Sequence, residues 1–285
     1  MNIAQALCIR GEADSYERQE TSWLLEHLLK LSALELRFQS EKELSAEQEQ
    51  AFLAGLVQLE KGEPLAYVTG SQPFWTLDLK VTRDTLVPRP DTEVLVEQCL
   101  NLALPERASV IDLGTGTGAI ALSLSSERPL WQVTATDIYL PTLQVAQENA
   151  AKYELSRVKF ACGAWFSALQ QDFADQRFDL IVSNPPYIDA DDEHMPALAS
   201  EPERALVAAG KGLSDIEIII YQGRDWLNPN GWIALEHGYD QGQAVRDIFL
   251  NAGFCEIQTI QDYGGNDRVT LAQWMDVALE QGENW

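Results

Sequence analysis

A glycine-rich segment that follows a short apolar strand is the first feature of this sequence able to bind a ligand. The predicted strand 110–113 runs directly into the glycine loop, residues 114–118, with the sequence Gly-Thr-Gly-Thr-Gly, and a predicted helix follows. Glycines let a ligand approach the backbone and the unpaired N–H groups at the start of that helix. Asp137 ends the next predicted strand, where a carboxylate can accept hydrogen bonds from both hydroxyls of a ribose. Together these features predict a site for a nucleoside-containing ligand.

The glycine loop alone fits either a dinucleotide such as NAD or a nucleoside ligand that carries an ammonium group. Gly114, Gly116 and Ala119 satisfy the fingerprint G-x-G-x-x-G/A of dinucleotide-binding proteins, so a nicotinamide-dependent oxidoreductase is one interpretation. Asp112 lies two residues before Gly114. A carboxylate there suits an ammonium group and would repel a pyrophosphate, so it argues against NAD.

A stiff segment rich in hydrogen-bond acceptors follows another predicted strand. Residues 178–183 run into Asn184-Pro185-Pro186-Tyr187. Each proline holds the residue before it in extended backbone, and neither proline has an N–H group. The segment therefore presents the Asn184 side-chain oxygen and the Pro185 carbonyl beside an aromatic wall at Tyr187. Two fixed acceptors and an aromatic ring suit a planar –NH₂ group.

This arrangement suits a reaction at a weakly nucleophilic nitrogen. The lone pair of an amide or aryl amine is delocalised, which makes the nitrogen a poor nucleophile. Holding both hydrogens and steering the nitrogen toward a reactive methyl group helps by orientation and by stabilising the developing charge. We therefore expect methylation of an amino or amide group. The oxidoreductase interpretation gives residues 184–187 no role.

Strands and helices alternate from residue 109 onward, which is typical of a mostly parallel sheet with helices on both faces. Strands are predicted at 110–113, 132–136, 158–161, 178–182, 232–235, 256–260 and 268–272, and helices at 119–125, 141–152, 216–226 and from about 241 to 253. In such a sheet the glycine loop and Asn184 lie at the carboxyl ends of strands and share one crevice. The predicted fold is α/β, a doubly wound, seven-stranded, mostly parallel Rossmann-like sheet.

The first 65 residues are predicted to be helical and carry no obvious chemistry. A leucine-rich stretch at 24–31 has helical spacing, and Ser45 with Gln48 forms a capping box before a second apolar face that Gly62 ends. Three parts are predicted: an N-terminal helical domain (1–66), a connecting β-hairpin (67–84) and a catalytic domain (85–285). The helical domain is either a module that recognises a partner or a cap that packs on the fold.

Composition excludes several classes of function. The chain has 44 acidic and 20 basic residues, a formal net charge of −24, spread evenly along its length. A negative surface repels phosphate backbones and anionic lipids, so nucleic acid is disfavoured as the main partner.

The four cysteines show no metal-ligand spacing, and we expect no metal site. Without a signal pattern or a membrane-spanning apolar run, the protein is expected to be cytoplasmic and not to enter a membrane.

The motifs in combination resemble class I methyltransferases that use S-adenosylmethionine. Asp112 with the glycine loop, then Asp137, then residues 184–187 is similar to the order in enzymes that methylate amino groups of adenine, cytosine or glutamine. The resemblance narrows to the peptide chain release factor glutamine methyltransferases (PrmC/HemK type) and covers nearly the whole chain. It rests on residues 64–70, 88–93, 111–121, 182–188, 201–202, 236–238 and 267–269. The segment 88–93, Pro-Arg-Pro-Asp-Thr-Glu, is the more specific one.

The resemblance implies methylation of the side-chain nitrogen N5 of the glutamine in the Gly-Gly-Gln motif of class 1 release factors. Such an enzyme acts in translation termination, and this one is expected to be a monomer. The implied cofactor-binding residues are Asp112, Gly114, Thr115, Gly116, Thr117, Gly118, Asp137, Trp165 and Asn184. Asn184, Pro185 and Tyr187 would be catalytic, and Pro186 and Arg89 would also bind substrate.

One departure from the family pattern concerns the adenine pocket. Trp165 would flank the adenine, and many members carry an acid just before that aromatic, whereas this sequence has Ala164. A DNA or RNA amino-methyltransferase that uses the same segment 184–187 is the alternative function. The even charge deficit and the absence of a basic arm count against it.

Overall fold

The chain divides into two units, Met1–Ser71 and Gln72–Trp285. The computed structural model describes residues 1–169, 175–192 and 195–275. Leu65–Thr69 forms a short helix that Gly70 ends in the left-handed conformation, at a φ of 72°. The hairpin therefore begins at Ser71 and not at residue 67 as predicted from the sequence.

The first unit is helical, as predicted. Its helices are α1 (Ile3–Leu7), α2 (Tyr16–Leu29), α3 (Ala33–Phe38), α4 (Ala46–Glu60) and α5 (Leu65–Thr69). Helices α1 to α4 each begin at a polar residue whose side chain accepts a hydrogen bond from the first turn. The predicted capping box of Ser45 and Gln48 is present, and Gly62 lies just beyond α4 at a φ of 82°. Leu24, Leu25 and Phe52 are at the centre of this unit's own apolar core.

The second unit contains a seven-stranded, mostly parallel sheet, which confirms the predicted architecture. A two-stranded sheet, β1 (Ser71–Phe74) and β2 (Leu77–Lys80), precedes it. The seven strands are β3 (Ser109–Leu113), β4 (Gln132–Asp137), β5 (Lys159–Cys162), β6 (Phe178–Ser183), β7 (Leu227–Glu236), β8 (Cys255–Gln261) and β9 (Asp267–Gln273), in the order β5-β4-β3-β6-β7-β9-β8. Only β9 runs antiparallel to its two neighbours, β7 and β8, among the described strands. Strand β7 is longer than predicted because Leu227 already pairs with Phe178 before a register shift.

Helices cover both faces of this sheet. They are α6 (Thr92–Asn101), α7 (Ala119–Glu127), α8 (Leu140–Lys152), α9 (Ala209–Gly212), α10 (Ser214–Gly223) and α11 (Gly242–Asn251). Neighbouring residues of a strand point to opposite faces. Val110 accordingly packs in one apolar cluster and Ile111 in the other. Because both faces are covered, the central strands are continuous apolar runs.

The order of the strands sets the position of a crevice. From β3 the chain moves first to β4 and β5 on one side and then to β6 and β7 on the other. Ligands bind at such a switch point, outside the carboxyl ends of the strands. Leu113, the last residue of β3, pairs with Thr136 on one side and with Ser183 on the other. The segments that follow these three residues therefore emerge side by side.

Candidate active site

The carboxyl ends of β3, β4 and β6 place Gly114, Asp137 and Asn184 around one cavity of about 240 Å³, here called the strand-end cleft. Six residues expected in the site line it: Gly114, Gly116, Asp137, Trp165, Asn184 and Pro186. The remaining lining residues are Asp84, Leu86, Ile138, Tyr139, Thr142, Gly163, Ala164, Arg204, Ala205, Val207 and Asp215. These six of the sequence-derived candidates thus share a single concave site.

The glycine loop is shaped to leave room for a ligand. Gly114, Gly116 and Gly118 have φ values of 72°, 58° and 85°, a region that side chains disfavour. A Cβ atom at Gly118 would lie 2.9 Å from Cδ1 of Leu122, so a side chain there would displace Leu122 at the start of α7. A Cβ atom at Gly116 would meet no atom within 4 Å. Because Gly116 lines the cleft, its missing side chain leaves open space for a ligand beside the backbone.

Asp137 hydrogen-bonds to the glycine loop and also lines the cleft. Its Oδ2 accepts a hydrogen bond from the Gly116 N–H at 3.1 Å, and its Oδ1 accepts one from the Tyr139 N–H at 3.0 Å. Burial raises the pKa of this carboxyl, and the two backbone donors partly offset that effect. Each carboxylate oxygen keeps a further lone pair for a ligand hydroxyl.

Asp112 lies behind the loop and not on the lining of the cleft. Its side chain is fully buried, and Oδ2 accepts hydrogen bonds from the Thr115 hydroxyl at 2.6 Å and from the Ala121 N–H at 3.2 Å. Burial raises the pKa of Asp112 to about 7. Oδ1 is buried without a hydrogen-bond partner among the described residues. The observed contacts of Asp112 therefore hold the loop against α7. Thr115, Thr117 and Gly118 are also buried and lie off the lining.

Trp165 forms a wall of the cleft from an unusual backbone conformation. It has a φ of 45° at the start of a 3-10 helix, Trp165–Leu169. Non-glycine residues held at positive φ are often found at binding sites. A Cβ atom at Gly114 would lie 3.5 Å from the Trp165 ring. Burial raises the pKa of the neighbouring Asp215 carboxyl, and a hydrogen bond from the Trp165 indole opposes that rise.

The segment 184–187 is held in place by side-chain contacts at both of its ends. Asn184 Nδ2 donates a hydrogen bond to the Thr92 hydroxyl at 3.2 Å. The Tyr187 hydroxyl donates to Glu236 Oε1 at 3.0 Å, and the Tyr187 carbonyl accepts from Gln241 Nε2 at 2.9 Å. Burial and the neighbouring carboxylate raise the pKa of Tyr187. Asn184 and Pro186 line the cleft, whereas Pro185 is buried and Tyr187 lies off the lining.

Arg89 is already paired with a carboxylate. Its guanidinium forms an ion pair with Glu201, a buried acid that also accepts a hydrogen bond from the Val87 N–H at 3.1 Å. The Arg89 side chain lies off the lining of the strand-end cleft. Its observed role is to anchor the proline-rich segment before α6.

Among the described residues, no group of three or more histidine, cysteine, aspartate or glutamate side chains could hold a metal ion. In residues 1–169, 175–192 and 195–275, none of the helices combines the length and the apolar character that crossing a bilayer requires.

Comparison with known proteins decides the family. A profile described as "PrmC N-terminal domain" matches residues 8–70, and one described as "Methyltransferase small domain" matches residues 90–213. A release factor glutamine methyltransferase of Escherichia coli (strain K12) is 44% identical over 266 residues, 92% of this chain and 94% of that protein. The protein of that name from Shewanella oneidensis is 45% identical over 237 residues, 82% of each chain. This chain belongs to the release factor glutamine methyltransferase family.

Solved structures agree on the fold of this family member. A methyltransferase from Pyrococcus furiosus matches with a TM-score of 0.53 and 18% identity, covering 80% of this chain and 98% of that one. The METTL16 methyltransferase domain matches with a TM-score of 0.52 and 18% identity, covering 80% and 96%. These likenesses concern the fold alone. The resemblance inferred from the sequence motifs is confirmed by the family match.

Sequence reasoning missed several polar residues of this methyltransferase. Thr92 and Glu236 contact the segment 184–187, and Asp215 lies on the cleft wall beside Trp165. One signal was available: Glu236 ends an apolar strand, as Asp137 does, and acids at that edge of the sheet face the crevice region. Thr92 gave no such signal, since it begins a helix far from Asn184 in the sequence.

Proposed function

We propose that this protein transfers a methyl group from S-adenosylmethionine to the side-chain nitrogen N5 of the glutamine in the Gly-Gly-Gln motif of class 1 peptide chain release factors. The observation that carries the proposal is the position of Asn184, which shares one cleft with the glycine loop and Asp137. An amide-binding acceptor and a nucleoside-binding loop are both needed for this reaction. The names of the relatives support glutamine as the target.

The cleft residues fit the proposed cofactor. When bound, S-adenosylmethionine supplies an electrophilic methyl group. The open space at Gly116 accommodates a ligand beside the backbone, and Asp137 offers lone pairs to ribose hydroxyls. Trp165 provides an apolar ring for the adenine. Asp112 acts through the loop, since its carboxyl is hydrogen-bonded to Thr115 and Ala121.

Asn184 and Pro185 would orient the target amide. The Asn184 side-chain oxygen accepts one hydrogen of the glutamine –NH₂ group and the Pro185 carbonyl accepts the other, which aims the nitrogen lone pair. Charge that develops on the nitrogen is stabilised by these two acceptors. No strong base is then required during methyl transfer, because the nitrogen can release its proton afterwards. Tyr187, fixed by Glu236 and Gln241, keeps the segment rigid.

The direct test is to find which molecule receives the methyl group. The full-length protein, labelled S-adenosylmethionine and a purified class 1 release factor should give label on one residue, the glutamine of the Gly-Gly-Gln motif. Mass spectrometry of the digested product locates the added methyl group. A release factor with that glutamine replaced by alanine is the control and should take no label. Equal labelling of this control, or label in added DNA or RNA but not in the release factor, would contradict the proposal.

We also infer that the first unit, Met1–Ser71, takes part in docking the release factor. A glutamine side chain offers too little surface to bind tightly by itself. Each unit has its own apolar core, so the second unit can be tested without the first. The first unit is proposed to be the recognition module, the hairpin of β1 and β2 the connection, and the rest of the second unit the methyltransferase domain.

Deleting residues 1–71 should impair methylation of an intact release factor and spare cofactor binding. We expect the KM for the release factor to rise at least about tenfold, equivalent to about 1.4 kcal/mol of lost docking energy. Calorimetry with S-adenosylhomocysteine should give an unchanged affinity, which also shows that the truncated protein is folded. A short Gly-Gly-Gln peptide should be methylated equally by both forms. Equal KM values for the intact release factor would instead assign the first unit a purely structural role.

A further inference from the structure

Two buried residues behind the strand-end cleft have no assigned role. Thr92 is the first residue of α6 and Glu236 is the last residue of β7; their exposed fractions are 4% and 1%. Neither residue lines the cleft. Both nevertheless belong to segments that the sequence singled out, 88–93 and 236–238.

Thr92 and Glu236 contact opposite ends of the segment that would hold the target amide. The Thr92 hydroxyl accepts a hydrogen bond from Asn184 Nδ2 at 3.2 Å. Glu236 Oε1 accepts a hydrogen bond from the Tyr187 hydroxyl at 3.0 Å. The two residues thus hold the segment 184–187, one at each end.

The number of hydrogens on Thr92 and Glu236 determines which atom donates and which accepts in their hydrogen bonds. A threonine hydroxyl has one hydrogen to donate. Glu236 Oε2 is buried without a hydrogen-bond partner among the described residues, so it remains an open acceptor. Burial raises the pKa of Glu236, and the Thr92 hydroxyl opposes that rise, as expected for a donor directed at a carboxylate. Once the Thr92 hydrogen points to Glu236, only lone pairs remain for Asn184.

Glu236 is buried among polar and charged groups. Burial raises the pKa of Glu236, the Thr92 and Tyr187 hydroxyls and the Arg268 guanidinium oppose that rise, and Asp91 adds to it. Arg268 is held by Asp262 Oδ2, at 3.2 Å from Nε and 3.1 Å from Nη2. In the structure Glu236 Oε1 accepts the hydrogen of the Tyr187 hydroxyl.

We propose that Thr92 and Glu236 are positioning residues that fix the Asn184 side-chain amide with its –NH₂ group toward Thr92 and its oxygen toward the strand-end cleft. The inference rests on the proposed function, in which that oxygen accepts a hydrogen from the target amide. If the Asn184 amide turned over, its –NH₂ group would face the –NH₂ group of the target. Two donors would then oppose each other, and the target nitrogen would lose an acceptor.

Thr92→Val tests this role, because valine keeps the shape of threonine and lacks the hydroxyl. We expect kcat for release factor methylation to fall about tenfold, as for a hydrogen bond whose loss leaves a buried group unpaired. The KM for the release factor and the affinity for S-adenosylhomocysteine should stay within about twofold of the parent. Thr92→Ser, which retains the hydroxyl, should keep kcat within about twofold. A Thr92→Val variant as active as the parent, or a Thr92→Ser variant as impaired as Thr92→Val, overturns the inference.

A double-mutant cycle separates positioning from simple packing. In an Asn184→Ala background there is no amide to orient, so Thr92→Val should lower the single-turnover rate no further. A packing role would lower it by the same factor in both backgrounds and would overturn the inference. Should Thr92→Val not fold, Thr92→Ala serves in the same cycle, with calorimetry of S-adenosylhomocysteine as the check of folding. Failure of the parent to methylate the release factor would reject the proposed function and this inference with it. An active parent with unaffected Thr92 variants rejects the inference alone.

Discussion

Asn184→Ala is expected to lower kcat for release factor methylation by roughly 10²–10³, or about 2.7–4 kcal/mol, the usual effect of deleting one preorganised hydrogen-bonding group. Alanine removes the side-chain oxygen that would accept a hydrogen of the target amide and leaves the two prolines in place. Affinity for S-adenosylhomocysteine should change little, because the glycine loop and Asp137 are untouched. Single-turnover kinetics together with calorimetry measure the two effects separately.

A matched control is Asn228→Ala. Asn228 also donates a side-chain hydrogen bond, to Asp179 at 2.8 Å. It lies near the start of β7, away from the carboxyl ends of the strands that form the cleft. The Asn228→Ala substitution should therefore leave kcat unchanged. An Asn184→Ala variant as active as this control would show that the segment 184–187 is only structural.

The Asn184→Asp substitution tests whether the Asn184 side chain only accepts a hydrogen bond or must also donate one. From the sequence alone, aspartate should outperform alanine if accepting a hydrogen bond is the whole role of this residue. In the structure Asn184 Nδ2 also donates to Thr92, so an aspartate oxygen would face the lone pairs of that hydroxyl. We therefore expect aspartate to be nearly as impaired as alanine. High activity of Asn184→Asp would count against the role of Thr92 and leave the role of the oxygen intact.

The parts of the fold that local sequence determines were predicted well. Apolar runs such as 110–113 and 178–182, alternating with predicted helices, favoured central strands, and the structure has strands there. Residues 216–226 were rightly predicted as mainly helical despite several isoleucines. The glycine loop and the residue pair Pro185 and Pro186 constrain their own backbones. Because parallel strands share one edge for their carboxyl ends, the meeting of Gly114, Asp137 and Asn184 followed from the same reasoning.

Contacts between segments that are distant in the chain could not be predicted from the sequence. Thr92 and Asn184 are 92 residues apart, and nothing in either neighbourhood indicates the other. The conformation of Trp165, with a φ of 45°, depends on packing around it and not on its own preference. Asp112 was expected to meet a ligand ammonium group, yet its buried carboxyl holds Thr115 and Ala121. A single sequence shows which side chain is present but not which neighbour satisfies it.

Gly116→Leu should weaken binding of S-adenosylhomocysteine at least about 100-fold, since glycine at this turn is what lets a ligand approach the backbone. The reason is the open space beside Gly116, where a Cβ atom would meet no protein atom within 4 Å and would project into the strand-end cleft. A leucine side chain fills that space and excludes the ligand. Calorimetry should show this loss, and the parent should bind S-adenosylhomocysteine and show no measurable binding of NAD. Tight NAD binding by the parent, with no response to S-adenosylhomocysteine, would reject the cofactor assignment.

Gly265→Leu separates the loss of ligand space from backbone strain. Gly265 has a φ of 83°, a Cβ atom there would also meet nothing within 4 Å, and it lies in the turn between β8 and β9, off the lining of the cleft. A side chain in the left-handed region costs about 1–2 kcal/mol at either position, so both variants should lose a similar amount of thermal stability. Only Gly116→Leu should lose the ligand, because only its side chain enters the cleft. If both variants bind S-adenosylhomocysteine as the parent does, the ligand does not occupy the space beside Gly116. If both lose binding equally, the effect comes from destabilisation and not from occupation of the cleft.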